Sequence, residues 1–134
     1  MIKIKKNPDL GLLLLRLAVG IIFFAHGWAK FADMTNTITF FFFFGMPSIV
    51  AYLVAAIELV GGLALILGLY TDLVALLLTI VMVVALVYVK MATFKLGLVG
   101  GYELDLALLG GVLAVLFVGS GKHHVMKSLM KGNL

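Results

Sequence analysis

The sequence predicts an all-α membrane protein, a four-helix transmembrane bundle formed by a single domain over residues 1–134. The first observation is composition: 64% of the residues are hydrophobic and 12% are charged, and the mean hydropathy is +1.26. A soluble domain of this size is far less apolar. The second is length, because four apolar runs approach the roughly 20 residues that cross a bilayer. These runs lie at about residues 10–32, 49–70, 73–91 and 102–118.

The first span carries three ionisable residues, Arg16, His26 and Lys30. At 3.6 residues per turn, Lys30 lies about 40° and His26 about 80° from Arg16 around the helix, so all three share one face. A charged side chain at the centre of a bilayer costs about 2.5 to 3.5 kcal/mol on the most lenient scale. We therefore expect this face to turn toward the other helices or a wet cavity.

A phenylalanine-rich segment separates the first and second spans. Residues 40–44 are five consecutive phenylalanines, and Gly45 and Pro47 follow them. The segment is too short to cross a membrane, so we predict a short interfacial or re-entrant piece. A lipid-facing anchor is the favoured interpretation, and a lid over a binding cavity is the alternative.

The later spans contain few charges. Glu58 lies near the middle of the second span, and Glu103 and Asp105 begin the fourth. Because Glu103 and Asp105 are about 200° apart on a helix, only one can face a given interhelical space. Glu103 lies on the side of the small residues and is the carboxylate predicted to face the interhelical space. Either carboxylate could instead cap the helix N-terminus, where negative charge is favourable.

These residues together predict an outward-facing polar pocket, roofed by the phenylalanine-rich segment. Its candidate ligand-binding residues are Arg16, His26, Lys30, Glu58 and Glu103. We expect Arg16 to reach Glu58, and Lys30 or His26 to meet Glu103. The competing interpretation is a set of buried ion pairs that only fixes helix register.

Basic residues flank the first and last spans. Three lysines precede residue 10, and Lys122, Lys127 and Lys131 follow residue 118. The positive-inside rule therefore predicts a plasma-membrane protein with both termini in the cytoplasm and a basic cytoplasmic tail at residues 119–134. The first span is long and continues through Lys30, so we interpret it as retained rather than as a cleaved signal peptide.

A series of short motifs, in this order and spacing, resembles the DoxX family of small four-span membrane proteins, and the resemblance covers nearly the whole chain. The motifs are Arg16-Leu17-x-x-Gly20, Ala25-His26-Gly27-x-x-Lys30, Gly45-Met46-Pro47, Glu58-x-x-Gly61-Gly62, Gly68-Leu69-x-Thr71, Gly101-Tyr102-Glu103 and Gly119-x-Gly121-Lys122. The resemblance implies a four-helix transmembrane bundle. It also implies that the chain is related to subunits of quinone-linked oxidoreductases that act on sulfur compounds.

The expected function is that of a redox-complex subunit that binds a quinone or similar amphiphile. His26 with Lys30 or Arg16 would donate hydrogen bonds, and Glu58 or Glu103 would relay protons. The sequence has no cysteine and no dinucleotide fingerprint, so no intrinsic cofactor is expected. A partner subunit would carry the redox cofactor. His26 is the only histidine within a span, which argues against a bis-histidine haem, and no ligand spacing predicts a metal site.

The alternative function is a non-enzymatic membrane scaffold, assembly factor or carrier whose buried charges are structural. The predicted partners are the lipid bilayer and either further copies of the chain or a redox subunit, because small residues on spans two and four favour helix association. Nucleic acid is not among the expected partners.

Overall fold

The computed structural model describes residues 2–125, and within them the chain forms helices and no strands. The helices are α1 (Pro8–Ala32), α2 (Met34–Phe43), α3 (Ser48–Leu67), α4 (Thr71–Val83, continuing over Val84–Thr93) and α5 (Glu103–Val118). Four segments are long and apolar enough to cross a membrane: Pro8–Ala32, Ser48–Leu67, Thr71–Thr93 and Leu98–Val118. This confirms the predicted all-α, four-span bundle with a short apolar helix between its first two spans. Most of the predicted basic tail lies outside the described residues.

The start of α1 and the junction between α1 and α2 are both capped by side chains. The Asn7 carboxamide oxygen accepts a hydrogen bond from the Leu10 backbone N–H at 3.1 Å, and Pro8 occupies the first turn. Asp33, the single residue between α1 and α2, accepts from the Asn36 backbone N–H at 3.3 Å. The phenylalanine-rich helix is thereby held directly against the end of the first span.

Glycines bring α1 and α3 into backbone contact. A Cβ atom on Gly27 would lie 2.3 Å from the backbone nitrogen of Leu59, and one on Gly62 would lie 2.4 Å from that of Phe24. Without side chains at these positions, the two helices approach as closely as small-residue motifs in membranes allow. The remaining core is aliphatic and aromatic, with Phe23, Leu65, Leu78, Val112 and Val115 almost wholly buried.

The connection between α3 and α4 is a short reversal. Gly68 ends α3 in a left-handed conformation with φ of 72°, and the Leu69 N–H bonds back to the Ala64 carbonyl at 2.9 Å. Tyr70 is also left-handed, and α4 begins at the next residue. The two helices are therefore adjacent and antiparallel.

The second half of α4 is a π-helix, from Val84 to Thr93. Its turns are wider than those of an α-helix, and the Phe94 N–H bonds to the carbonyl of Val89, five residues earlier, at 3.1 Å. π-helical turns are rare and are frequent at functional sites. In this protein the π-helix forms part of the wall of a cavity inside the bundle.

Candidate functional site

A cavity of about 540 Å³ lies inside the bundle, at the end where α1 finishes and α3 begins. All five helices contribute to it, and most of its lining is aliphatic or aromatic. Its ionisable lining residues are His26, Lys30, Glu58, Lys90 and Asp105. The cavity is thus an apolar chamber with polar groups at a few separate points.

The Lys30–Glu58 ion pair joins α1 to α3 in the cavity wall. The Lys30 ammonium lies 2.5 Å from a carboxylate oxygen of Glu58, whose residue is only 6% exposed. Lys30 is in the last turn of α1, and side chains on a helix lean toward its N-terminus, which directs the ammonium toward the middle of α3. A buried carboxylate with so close a cation avoids the cost of an unpaired charge.

A second ion pair, Lys90–Asp105, joins the π-helical part of α4 to the first turn of α5. The Lys90 ammonium and the Asp105 carboxylate are 3.6 Å apart, and both residues line the cavity. This pair is looser than the first and partly accessible. The sequence analysis did not include Lys90 among the candidate site residues.

The structure differs from the expected geometry at the start of α5. Glu103 is exposed, does not line the cavity and makes no ion pair with the residues the structure describes, whereas Asp105 faces inward. The buried face of α5 includes Leu108, Val112 and Val115. Asp105 lies only about 20° from the direction of Val112 around the helix, and Glu103 about 180° from it. If the buried face of α5 is assigned from its large aliphatic residues, Asp105 is the carboxylate predicted to face the cavity.

Arg16 also lies elsewhere than expected, because it does not reach Glu58. Its guanidinium is buried, 1% exposed, and donates to the carbonyls of Leu65 at 2.9 Å, Ser120 at 2.5 Å and His123 at 2.8 Å. Leu65 is seven residues beyond Glu58 on α3, a distance of about 10 Å along the helix axis. Arg16 therefore donates to carbonyl groups at the end of α3 and in the segment after α5.

His26 lines the cavity one turn before Lys30 and forms no hydrogen bond with another of the described residues. Of the five predicted site residues, the structure brings three together at the cavity: His26, Lys30 and Glu58. Arg16 and Glu103 lie outside its wall. Among residues 2–125, no three histidine, aspartate or glutamate side chains lie close enough to hold a metal ion.

The phenylalanine-rich helix α2 has two faces. Phe40, Phe41 and Phe44 line the cavity, and Phe44 packs against Tyr88, whose hydroxyl donates to the Phe44 carbonyl at 3.4 Å. Phe42 and Phe43 point outward, 76% and 67% exposed. One face thus matches the lid interpretation, and the exposed face matches the lipid-facing anchor that the sequence favoured.

The fold and the cavity define a class of protein, a small four-span integral membrane protein with paired charges in an apolar interior. The chain belongs to the DoxX family, whose model, described as DoxX, matches residues 11–91. That range includes His26, Lys30, Glu58 and Lys90.

Two curated relatives are similar to the chain. One, named "Putative oxidoreductase CatD", from Bacillus subtilis (strain 168), is 44% identical over 104 residues, which are 78% of this chain and 75% of the relative. The other, named "Inner membrane protein YqjF", from Escherichia coli (strain K12), is 28% identical over 128 residues, 95% of this chain and 98% of the relative. No solved structure matches the chain significantly.

Proposed function

We propose that the chain is the membrane subunit of a quinone-linked oxidoreductase system and binds a quinone, or a similar amphiphile, in the cavity. The observation that carries this proposal is an apolar chamber whose polar groups are confined to a few points, next to the Lys30–Glu58 pair. Its volume lies within the range of about 300 to 1,000 Å³ typical of small-molecule sites. The name of the Bacillus subtilis relative, which includes the word oxidoreductase, is consistent with this class.

The lining chemistry suits a quinone. Its ring and side chain are apolar and pack against Phe23, Phe44 and Leu108, while its carbonyl oxygens accept hydrogen bonds from Lys30 or His26. Reduction of a quinone to a quinol consumes two electrons and two protons. In this proposal a partner redox subunit supplies the electrons, and Glu58 and His26 pass the protons.

We further propose that both ends of the chain face the cytoplasm, so that the cavity lies in the outer half of the membrane. The two ends of the described chain are neighbours, because Asp9 accepts a hydrogen bond from the Lys122 backbone N–H at 3.1 Å. The flanking lysines support the cytoplasmic side. The chain has no cysteine, so single cysteines introduced at Lys5 and at Lys95 can be labelled in intact cells with a membrane-impermeant maleimide. Labelling of the Lys95 position alone is expected, and the reverse pattern would contradict this orientation.

A second candidate function is a non-enzymatic scaffold, assembly factor or carrier. The observation that favours it is the closed Lys30–Glu58 pair, which ties α1 to α3 and already satisfies both charges. Under this alternative the buried charges set the architecture and no quinone is held.

The deciding experiment is purification in mild detergent, followed by mass spectrometry of the organic extract and of the co-purifying polypeptides. Wild-type protein and Glu103→Gln, which changes an exposed carboxylate outside the cavity, are expected to retain quinone. Glu58→Gln and His26→Ala are expected to lose it with unchanged helical circular dichroism. A stable bundle that carries only phospholipid would favour the scaffold.

A further inference from the structure

We infer that Lys90 and Asp105 form a second polar contact of the cavity, for a ligand that is neutral overall and has hydrogen-bonding oxygens on opposite sides of an apolar ring, as a quinone and its quinol have. This inference rests on the proposed function and deepens it, because it states which ligand class the cavity accepts. It adds two residues outside the predicted site.

The two ion pairs of the cavity differ in how much bonding capacity they retain. Lys30 and Glu58 are within hydrogen-bond distance at 2.5 Å, whereas the charged atoms of Lys90 and Asp105 are 3.6 Å apart, beyond that distance. An ammonium has three donors and a carboxylate about four acceptor positions. Neither Lys90 nor Asp105 uses them in a side-chain hydrogen bond to another described residue. The Lys90–Asp105 pair therefore has more hydrogen-bonding groups left for a ligand than the Lys30–Glu58 pair has.

The apolar surroundings of the Lys90–Asp105 pair favour hydrogen bonding between its free groups and a ligand. The neighbouring parts of the cavity wall are apolar, formed by Ala85, Val89 and Leu108. Polar groups in such surroundings cost free energy unless they are hydrogen-bonded. A ligand carbonyl oxygen can accept from the ammonium, and a ligand hydroxyl can both accept from the ammonium and donate to the carboxylate, which removes that cost.

The two pairs join different helices of the cavity wall. Lys30–Glu58 joins α1 to α3, and Lys90–Asp105 joins the π-helical part of α4 to the first turn of α5. Both pairs line the same cavity. A ligand that contacts both pairs therefore bridges the cavity from the α1–α3 side to the α4–α5 side, with its apolar body against the aliphatic wall.

The π-helix explains why Lys90 faces inward. In a regular α-helix Lys90 would lie about 80° from the buried Met82 around the axis. A π-helical turn holds more residues than an α-helical turn, so each residue after Val84 is rotated back relative to α-helical register. This rotation brings the Lys90 side chain toward Asp105.

The balance of charge indicates a neutral ligand. The cavity wall holds two cations, Lys30 and Lys90, and two carboxylates, Glu58 and Asp105. Each cation has a carboxylate beside it, so an anionic or cationic headgroup would meet a like charge wherever it was placed. A neutral ring with oxygens on opposite sides can accept from the ammonium of each pair, and in the quinol form each hydroxyl can also donate to the carboxylate.

The test is equilibrium binding of decylubiquinone to the purified full-length protein in detergent. Lys90→Gln is expected to weaken binding of decylubiquinone about tenfold, the change for one lost hydrogen bond to a charged group. Asp105→Asn is expected to weaken binding of decylubiquinol, the reduced form whose hydroxyl can donate to the carboxylate, by about the same factor. Lys95→Gln and Glu103→Gln are the matched controls, because they make the same chemical changes at exposed positions outside the cavity. Both controls are expected to bind as the wild type does, and Lys90→Arg, which keeps the charge, is expected to retain most of the affinity.

Thermal unfolding of each variant distinguishes a loss of binding from a loss of folding. If Asp105→Asn does not fold, binding by Lys90→Gln alone tests whether this pair contacts the ligand. Unchanged binding in Lys90→Gln together with lost binding in Glu58→Gln would overturn this inference and leave the proposed function standing. No binding by the wild type would overturn both. Decyl phosphate, a charged probe with the same alkyl chain, is expected to bind the wild type at least tenfold more weakly than decylubiquinone. Equal affinity would overturn the assignment of a neutral ligand.

Discussion

The two ends of the bundle use buried positive charge in opposite ways. At one end, Arg16 donates to several backbone carbonyls, and the segment after α5 is held against α1. At the other end, Lys30 is paired with a carboxylate in the wall of a cavity. Both cations lie on one face of the same helix. The comparison shows that one helix can use one cation to hold backbone carbonyls and another to form an ion pair in a cavity wall, so a charge within a span does not by itself indicate a binding site.

Substitution of Arg16 is expected to have the largest effect on stability. In Arg16→Met the carbonyls of Leu65, Ser120 and His123 lose a donor in a buried environment, at a cost of about 3 kcal/mol or more. Thermal unfolding in detergent, followed by circular dichroism, measures the loss. The control is Lys122→Gln, which removes a more exposed ion pair to Asp9 and should cost less than about 1 kcal/mol. Equal unfolding temperatures for Arg16→Met and the wild type would show that this end of the bundle does not depend on the guanidinium.

The pair at the cavity end is expected to tolerate loss of both charges better than loss of one. Glu58→Met leaves the Lys30 ammonium without its partner, which should cost about 2 kcal/mol, since Lys30 is partly accessible. The double variant Lys30→Met/Glu58→Met should recover most of that stability but bind no quinone. Chemical unfolding of the three proteins, with quinone analysis of each, measures both properties. A double variant less stable than Glu58→Met would mean that the pair is required for the fold.

The close contact of α1 and α3 at their glycines, called here the glycine seam, allows a comparison of two substitutions that change no charge. Gly62→Ala places a methyl group against the Phe24 backbone and should cost about 1 to 3 kcal/mol, because the two helices must separate. Gly110→Ala, on α5, meets nothing within 4 Å and should stabilise by up to about 1 kcal/mol. Unfolding temperatures show whether each substitution lowers or raises the stability. A neutral Gly62→Ala would indicate that the helices can move apart at no cost.

The smallest expected effect is the change in the free energy of unfolding with ionic strength. The Lys122–Asp9 pair is partly exposed, with 3.9 Å between its charged atoms, so raising ionic strength from 0.1 M to 1 M should lower stability by less than about 0.5 kcal/mol. The buried charge of Arg16 and the partly buried Lys30–Glu58 pair should be less sensitive to the same change. A large loss of stability in Lys122→Gln at low salt would contradict this ranking.

The helices themselves were predictable because each depends on local signals. Apolar length defined the four spans, Asn7 and Pro8 the start of α1, and Gly68 the turn between α3 and α4. The resemblance to the DoxX family was also confirmed. The spans, the cap and the turn can each be identified from a short window of sequence, and the family from the order of its motifs along the chain, so no tertiary information was needed.

The parts that were not predicted depend on how helices meet. No glycine or proline within Val84–Thr93 signals the π-helix that turns Lys90 inward. The partner of Arg16 was misassigned because the sequence does not show how far α3 extends past Glu58 at the level of Arg16. Glu103 was preferred to Asp105 because small residues, rather than large aliphatic ones, were used to choose the buried face of α5. The roles of His26, Lys30 and Glu58 in ligand binding stay predictions.

The glycine seam has a mechanical consequence for the cavity. At Gly27 and Gly62 the backbones of α1 and α3 touch, so few side chains lie between these helices and we expect the two helices to move together. His26, Lys30 and Glu58 all lie on these two helices. We therefore expect any change in the volume of the cavity to come from movement of α2, α4 and α5.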